Sequence, residues 1–154
     1  MIVGSFRAAK LSSFEIDAIE PIEPSSPYHY RRRITLHVNS SGNFGFYRNQ
    51  SRTVVPIKEC PISAPAINDA IEKLANLQDS LAGVISQIAI ETDAQGIAIQ
   101  FVSPLEQNSE KIKNLINNAK ELFNNISIVS NSKEITGIGK TVLQLPLDEH
   151  GSIQ

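Results

Sequence analysis

Three short runs of alternating apolar and polar residues, separated by turn-forming residues, lie between Arg31 and Ile57 and commit this part of the chain to antiparallel strands. In Arg31–Val38, Ile34, Leu36 and Val38 share one side, while Arg31, Arg33, Thr35 and His37 share the other. Arg32 falls on the apolar parity, which puts it at the strand mouth with its stem packed and its head in solvent or paired. Asn39-Ser-Ser-Gly42 is a turn, Asn43–Arg48 is the hairpin partner, and a second turn at Asn49-Gln-Ser51 leads into Arg52–Ile57. The pattern predicts a three-stranded meander, closed by a Cys60-Pro61 turn.

The same stretch carries the unusual chemistry. Between Tyr28 and Lys58 it holds Arg31, Arg32, Arg33, Arg48, Arg52 and Lys58, interleaved with Tyr28, Tyr30, Tyr47, His29 and His37, and no acidic residue. The whole chain has a formal net charge of −2, but this average conceals an asymmetry. Residues 1–60 hold 8 basic against 5 acidic side chains, and residues 61–154 hold 6 against 11. A basic half suits an anionic partner, nucleic acid above all; an uneven scatter of solvated charge gives the same totals.

Elsewhere the periods are ordinary. Phe14–Pro21 alternates as a strand, and the Pro-rich segment that follows, PIEPSSP, reads as an extended linker or edge crossing. Ala64–Leu81 places Ile67, Ala70, Ile71, Leu74, Leu77 and Leu81 on one helical stripe, with Ser63 as N-cap, Pro65 in the first turn and Gly83 as the stop. Val84–Glu91 and Gly96–Val102 form a second hairpin around Asp93–Gly96. Glu110–Phe123 is a second amphipathic helix capped by Asn108 or Ser109, Ile126–Val129 is a strand, and a further strand is expected near Lys140–Leu145. The sum is one α+β domain over residues 1–154, a mainly antiparallel sheet with two amphipathic helices packed on one face.

Enzyme signatures are missing: there is no phosphate-binding loop, no G-x-G-x-x-G, no H-E-x-x-H and no G-x-S-x-G. His29, His37 and His150 lack metal-site spacing, and Cys60, flanked by Lys58 and Glu59, reads as a buried inert thiol. A single cysteine suits a reducing cytoplasm, the apolar run of MIVGSFRAAK is too short for a secretory signal, and no stretch is apolar enough for a membrane span. The basic–aromatic stretch has two readings of equal weight. Its guanidiniums are fork-shaped phosphate donors beside tyrosine stacking planes, or Arg31–Arg33 pair with carboxylates of the acidic half or of a neighbouring domain.

Three motifs in order carry a resemblance. Tyr30-Arg-Arg-Arg33 opens a strand, Gly45-Phe-Tyr-Arg48 follows, and Val55-x-Ile57-x-x-Cys60-Pro61-Ile62-x-x-Pro65 leads into an amphipathic helix. Over about Ile16–Ile67 this resembles the central domain of the RNA 5-methyluridine methyltransferases, S-adenosylmethionine-dependent enzymes of ribosomal and transfer RNA. The resemblance implies that Tyr30, Arg31, Arg33, Tyr47, Arg48 and Arg52 hold RNA, ribosomal rather than transfer, and that no catalytic residue lies in this chain. It implies that Cys60 is the fourth ligand of a four-iron four-sulfur cluster in the parent protein, three cysteines of which lie upstream in the family and are missing here. Gly151-Ser-Ile-Gln154 is similar to the opening of the family's methyltransferase domain, so the cofactor loop, nucleophilic cysteine and general base are expected beyond Gln154. The expectation is therefore an inactive domain of a cytoplasmic RNA methyltransferase, partnered by RNA and by its own catalytic domain. The rival is a free-standing RNA-binding or protein-interaction module.

Overall fold

The alternating segments assemble into a seven-stranded sheet in the order β3-β2-β1-β4-β5-β6-β7 in the computed structural model, which describes residues 26–94, 96–105, 109–130 and 133–139. β1 (Arg33–Val38), β2 (Phe44–Tyr47) and β3 (Val54–Pro56) form the expected antiparallel meander, with His37 opposite Gly45 and Tyr47 opposite Val54. β4 (Gln87–Asp93) and β5 (Gly96–Val102) form the second hairpin, and β4 pairs antiparallel with β1. The expected strand at Phe14–Pro21 lies outside the described residues.

One face of this sheet is the core. Register aligns Ile34 with Ile90 and Leu36 with Ile88 across β1 and β4, then Ile90 with Ile99 and Ile88 with Phe101 across β4 and β5. These six side chains are buried with Ile67, Ile71 and Leu74 of α1 (Pro65–Ala75), Leu81 of α2 (Gln78–Leu81), and Ile112 and Leu115 of α3 (Glu110–Ala119). The helices thus sit on one side, as their single apolar stripes require. Each fully buried Leu, Ile or Phe contributes about 1.5–3 kcal/mol of transfer free energy. The opposite face carries Arg33, Thr35, His37, Gln87, Glu91 and Gln100, which are exposed or half-buried.

Several expectations need correction. The stripe at 64–81 is not one helix: α1 ends at Ala75, 3₁₀-type bonds close Asn76 onto Lys73 and Leu77 onto Leu74, and α2 restarts at Gln78. Leu74, Leu77 and Leu81 stay buried through the break, so the apolar period survives while the backbone does not. The break coincides with the β1–β2 turn, where Gly42 abuts the Gln78 carbonyl and Gln78 Nε2 donates to Asn43 Oδ1 at 2.8 Å. Ser63 is not the N-cap. Ala64 holds that position without a side-chain cap, and Ser63 instead joins a parallel bridge to Arg31 with its hydroxyl fully buried. Ser109 does stand at the N-cap of α3 but makes no capping bond through its side chain.

At the far edge, β6 (Ile126–Ser130) runs parallel to β5, with α3 as the crossover such a pairing needs. Its antiparallel neighbour is β7 (Lys133–Ile138), a strand not foreseen there, while the expected strand at Lys140–Leu145 lies outside the described residues. Polar Lys133 and Glu134 and the interruption at Gly137 leave β7 no clean alternation to read.

The Gly42 contact generates a stability prediction. Gly42 has φ +80°, and a Cβ there would collide with the Gln78 carbonyl oxygen. Gly42→Ala is expected to lower stability by about 1–3 kcal/mol from the backbone alone, read as a fall in the urea midpoint. An unchanged midpoint would contradict the packing of this turn on α2.

Candidate functional site

The residues singled out in the sequence gather at one end of the meander. β1 and β2 are antiparallel neighbours, so the start of β1 and the end of β2 lie at the same end of the sheet. Arg31, Arg32 and Arg33 therefore share that end with Tyr47 and Arg48, and the β2–β3 turn adds Arg52. The turn is held by Arg48 N–H donating to Thr53 O at 2.9 Å and Ser51 N–H donating to Arg48 O at 3.0 Å. All of these arginines are exposed, as are Tyr30 at 58% and Tyr47 at 44%.

No carboxylate among the described residues pairs with these arginines. Among the described residues the one ion pair is Lys113–Glu110, on α3. Even Arg33, whose register partner on β4 is Glu91, forms none. Pairing with carboxylates is not seen among the described residues, where the row of guanidiniums is available to an anion.

Cys60 is 7% exposed and free, as a buried thiol was expected to be. Its turn is fixed from two sides. Asn68 of α1 grips the Cys60 backbone, its Oδ1 accepting from Cys60 N–H at 2.9 Å and its Nδ2 donating to Cys60 O at 3.3 Å. From the other side, His29 N–H donates to Pro61 O (3.1 Å), Arg31 N–H to Ile62 O (2.8 Å) and Ala64 N–H to Arg31 O (2.9 Å). His29 adopts φ +61°, uncommon for a non-glycine residue, and its Nδ1 lies 3.1 Å from Ser63 O. A carbonyl only accepts, so Nδ1 carries the proton in this contact. The bends of 28–31 and 60–64 thus hold each other, and Tyr30 and Arg31 stand beside the Cys-Pro turn.

A four-iron four-sulfur cluster does not fit these residues. It needs four thiolates, the chain has one cysteine, and no group of three or more His, Cys, Asp or Glu suited to a metal occurs among the described residues. The Cys60 turn is held instead by hydrogen bonds.

Sequence reasoning missed two residues here. His37 stacks on Tyr47 with ring centroids 3.6 Å apart and planes 11° from parallel, and Asn68 holds the cysteine turn. The parity of His37 put it on the arginine face, but its ring partner comes from the neighbouring strand. Two concavities flank α1, one of about 500 Å3 lined partly by Asp69, Lys73, Asp93 and Asn124, the other of about 440 Å3 between β3 and α1. Neither of these two is lined by the arginines or tyrosines. Among the described residues no helix is long and apolar enough to cross a membrane.

No family model matches the chain. The 23S rRNA (uracil(1939)-C(5))-methyltransferase RlmD of Shewanella woodyi is 28% identical over 138 residues, covering 82% of this chain and 30% of that protein. RlmD of Aliivibrio salmonicida is 33% identical over 75 residues, 44% of this chain and 17% of its own. The chain thus spans less than a third of the length of these curated relatives. Among solved structures, Pyrococcus abyssi tRNA (uracil-54, C5)-methyltransferase in complex with S-adenosyl-L-homocysteine matches with a TM-score of 0.58 at 19% identity, over 80% of this chain and 34% of that one. That likeness shows the fold.

The Asn68 clamp predicts a coupled loss. Asn68→Ala leaves the half-buried Cys60 N–H unpaired and is expected to cost about 1–3 kcal/mol in urea unfolding. Alkylation of Cys60 by iodoacetamide should accelerate at the same time. An unchanged alkylation rate would contradict the clamp.

Proposed function

We propose, from the chain's membership of the RNA 5-methyluridine methyltransferase family, that it is the RNA-positioning domain of an enzyme methylating uracil C5. The observation that carries this reading is the set of exposed guanidiniums at Arg31, Arg33, Arg48 and Arg52, none paired with a carboxylate of the described fold. Arginine forks of this kind engage phosphate oxygens, and each phosphate neutralised releases counterions. Tyr30 and Tyr47 add exposed ring faces for unpaired bases.

Ribosomal RNA is the favoured substrate class, because the relatives by sequence carry names that specify 23S rRNA. In the longer protein, S-adenosylmethionine supplies the methyl group, and sequence outside these 154 residues carries the transfer. The contribution of this domain is to hold the RNA backbone so that one uridine is offered to that site, in a cytoplasmic protein. Its share of catalysis is positional. Cys60 does not act chemically in this reading; it keeps the entry to α1 packed.

The test is electrostatic. In fluorescence anisotropy with a labelled single-stranded RNA, the double variant Arg31→Ala/Arg33→Ala is expected to bind more weakly than the unmodified chain. If each arginine neutralises one phosphate, the slope of log K against log[salt] should flatten by about 0.7 per arginine removed. A slope equal to that of the unmodified chain would remove these arginines from the RNA surface.

A further inference from the structure

We propose that the His37–Tyr47 pair is a prebuilt stacking platform, on which one unpaired RNA base lies against the outer face of Tyr47 while His37 fixes the plane of that ring. This deepens the RNA-positioning reading above and rests on it.

The geometry is that of an unfinished stack. The two rings are nearly parallel, 11° apart, with centroids at 3.6 Å, so one face of Tyr47 is covered by imidazole. Tyr47 is nonetheless 44% exposed, so the stack on His37 leaves much of the residue open to solvent. His37 is half-buried and its Nδ1 is enclosed without a hydrogen-bond partner. No polar contact at Nδ1 orients the ring, and the stack on Tyr47 does. Other exposed tyrosines are not arranged this way. The ring contact of Tyr28 is a tilted one with His29, at 6.4 Å and 49°.

A base-stacking residue is most effective when its ring is immobile before the ligand arrives, because ordering a free tyrosine costs rotamer entropy on binding. Here the ordering has been done within the fold. β1 fixes His37, β2 fixes Tyr47, and their pairing at His37–Gly45 sets the two rings over the same patch of sheet. The surroundings fit a nucleotide. Arg48 follows Tyr47 directly, and Arg33 lies on the same face of β1 as His37, four residues earlier or about 13 Å along the strand. An exposed ring near exposed guanidiniums that make no ion pair among the described residues matches the recurring recognition of single strands, with stacking for the base and positive charge for the backbone. An aromatic pair serving stability alone would have no need of that surrounding charge.

Binding of the 154-residue chain to two probes tests the platform: a short single-stranded oligouridylate, and a ribose-phosphate oligomer of the same length without bases. The chain contains no tryptophan and three tyrosines, so quenching of tyrosine emission reports stacking directly. The unmodified chain should prefer the base-bearing probe. Tyr47→Leu should weaken its binding to that probe about tenfold and leave the abasic probe unaffected. Tyr47→Phe should keep the preference. His37→Leu should lose part of it and His37→Phe should restore it, separating a positioning role from a general loss of fold. If Tyr47→Leu binds both probes like the unmodified chain while Arg31→Ala/Arg33→Ala still weakens both, the platform is wrong and the RNA surface stands. If the unmodified chain binds neither probe, both proposals fail.

Discussion

The backbone bridge between Arg31 and the Cys60–Ala64 turn fixes where two elements begin. Arg31 donates its N–H to Ile62 O and accepts at its own carbonyl from Ala64 N–H, so the chain entering β1 and the chain entering α1 are one hydrogen-bonded unit. The Asn68 side chain closes that unit from inside α1. With the helix entry held, Ile67, Ile71 and Leu74 descend onto Ile34, Leu36 and Ile90, and the arginines are directed away from them. An unpaired backbone group in such a turn costs on the order of 1–3 kcal/mol. The fold meets its polar requirements here with backbone and amide groups, and among the described residues the guanidiniums form no ion pair.

That division of labour follows from a one-sided sheet. The apolar alternation of β1, β4 and β5 is satisfied wholly by α1, α2 and α3 on one face. The other face is free to carry Arg33, His37 and Tyr47 without cost to the core. Charge asymmetry along the sequence becomes charge placement in space, because the basic residues cluster on the meander and the acidic ones are spread over the later elements. The partner we propose for such a face is an RNA strand with some of its bases unpaired.

Much of this was legible from residue order. The meander, the second hairpin and both principal helices follow from periods of two and 3.6, and Gly83 at φ +66° stops the helical segment as expected. What was not legible depends on contacts between distant segments. The interruption at Asn76–Leu77 leaves the apolar stripe intact and coincides with the contact between Gly42 and Gln78, more than thirty residues earlier in the chain. Ser63 has the composition of a cap, but its bridge to Arg31 draws it into the preceding turn. β7 lacks the alternation that would announce it, and its neighbour β6 is the one member of the sheet whose pairing with β5 is parallel. At the candidate site the exposed arginines and Tyr47 were readable, whereas His37 as the ring beneath Tyr47 required the strand register.

The central claim is that RNA lies on the arginine–tyrosine end of the meander. It is tested most directly by photocrosslinking the chain to a 4-thiouridine-containing single-stranded RNA and mapping the attached peptides by mass spectrometry. The account predicts adducts within Tyr28–Arg33 and Tyr47–Arg52, suppressed by raised salt. Adducts confined to α1 and α3, on the opposite side of the sheet, would contradict it.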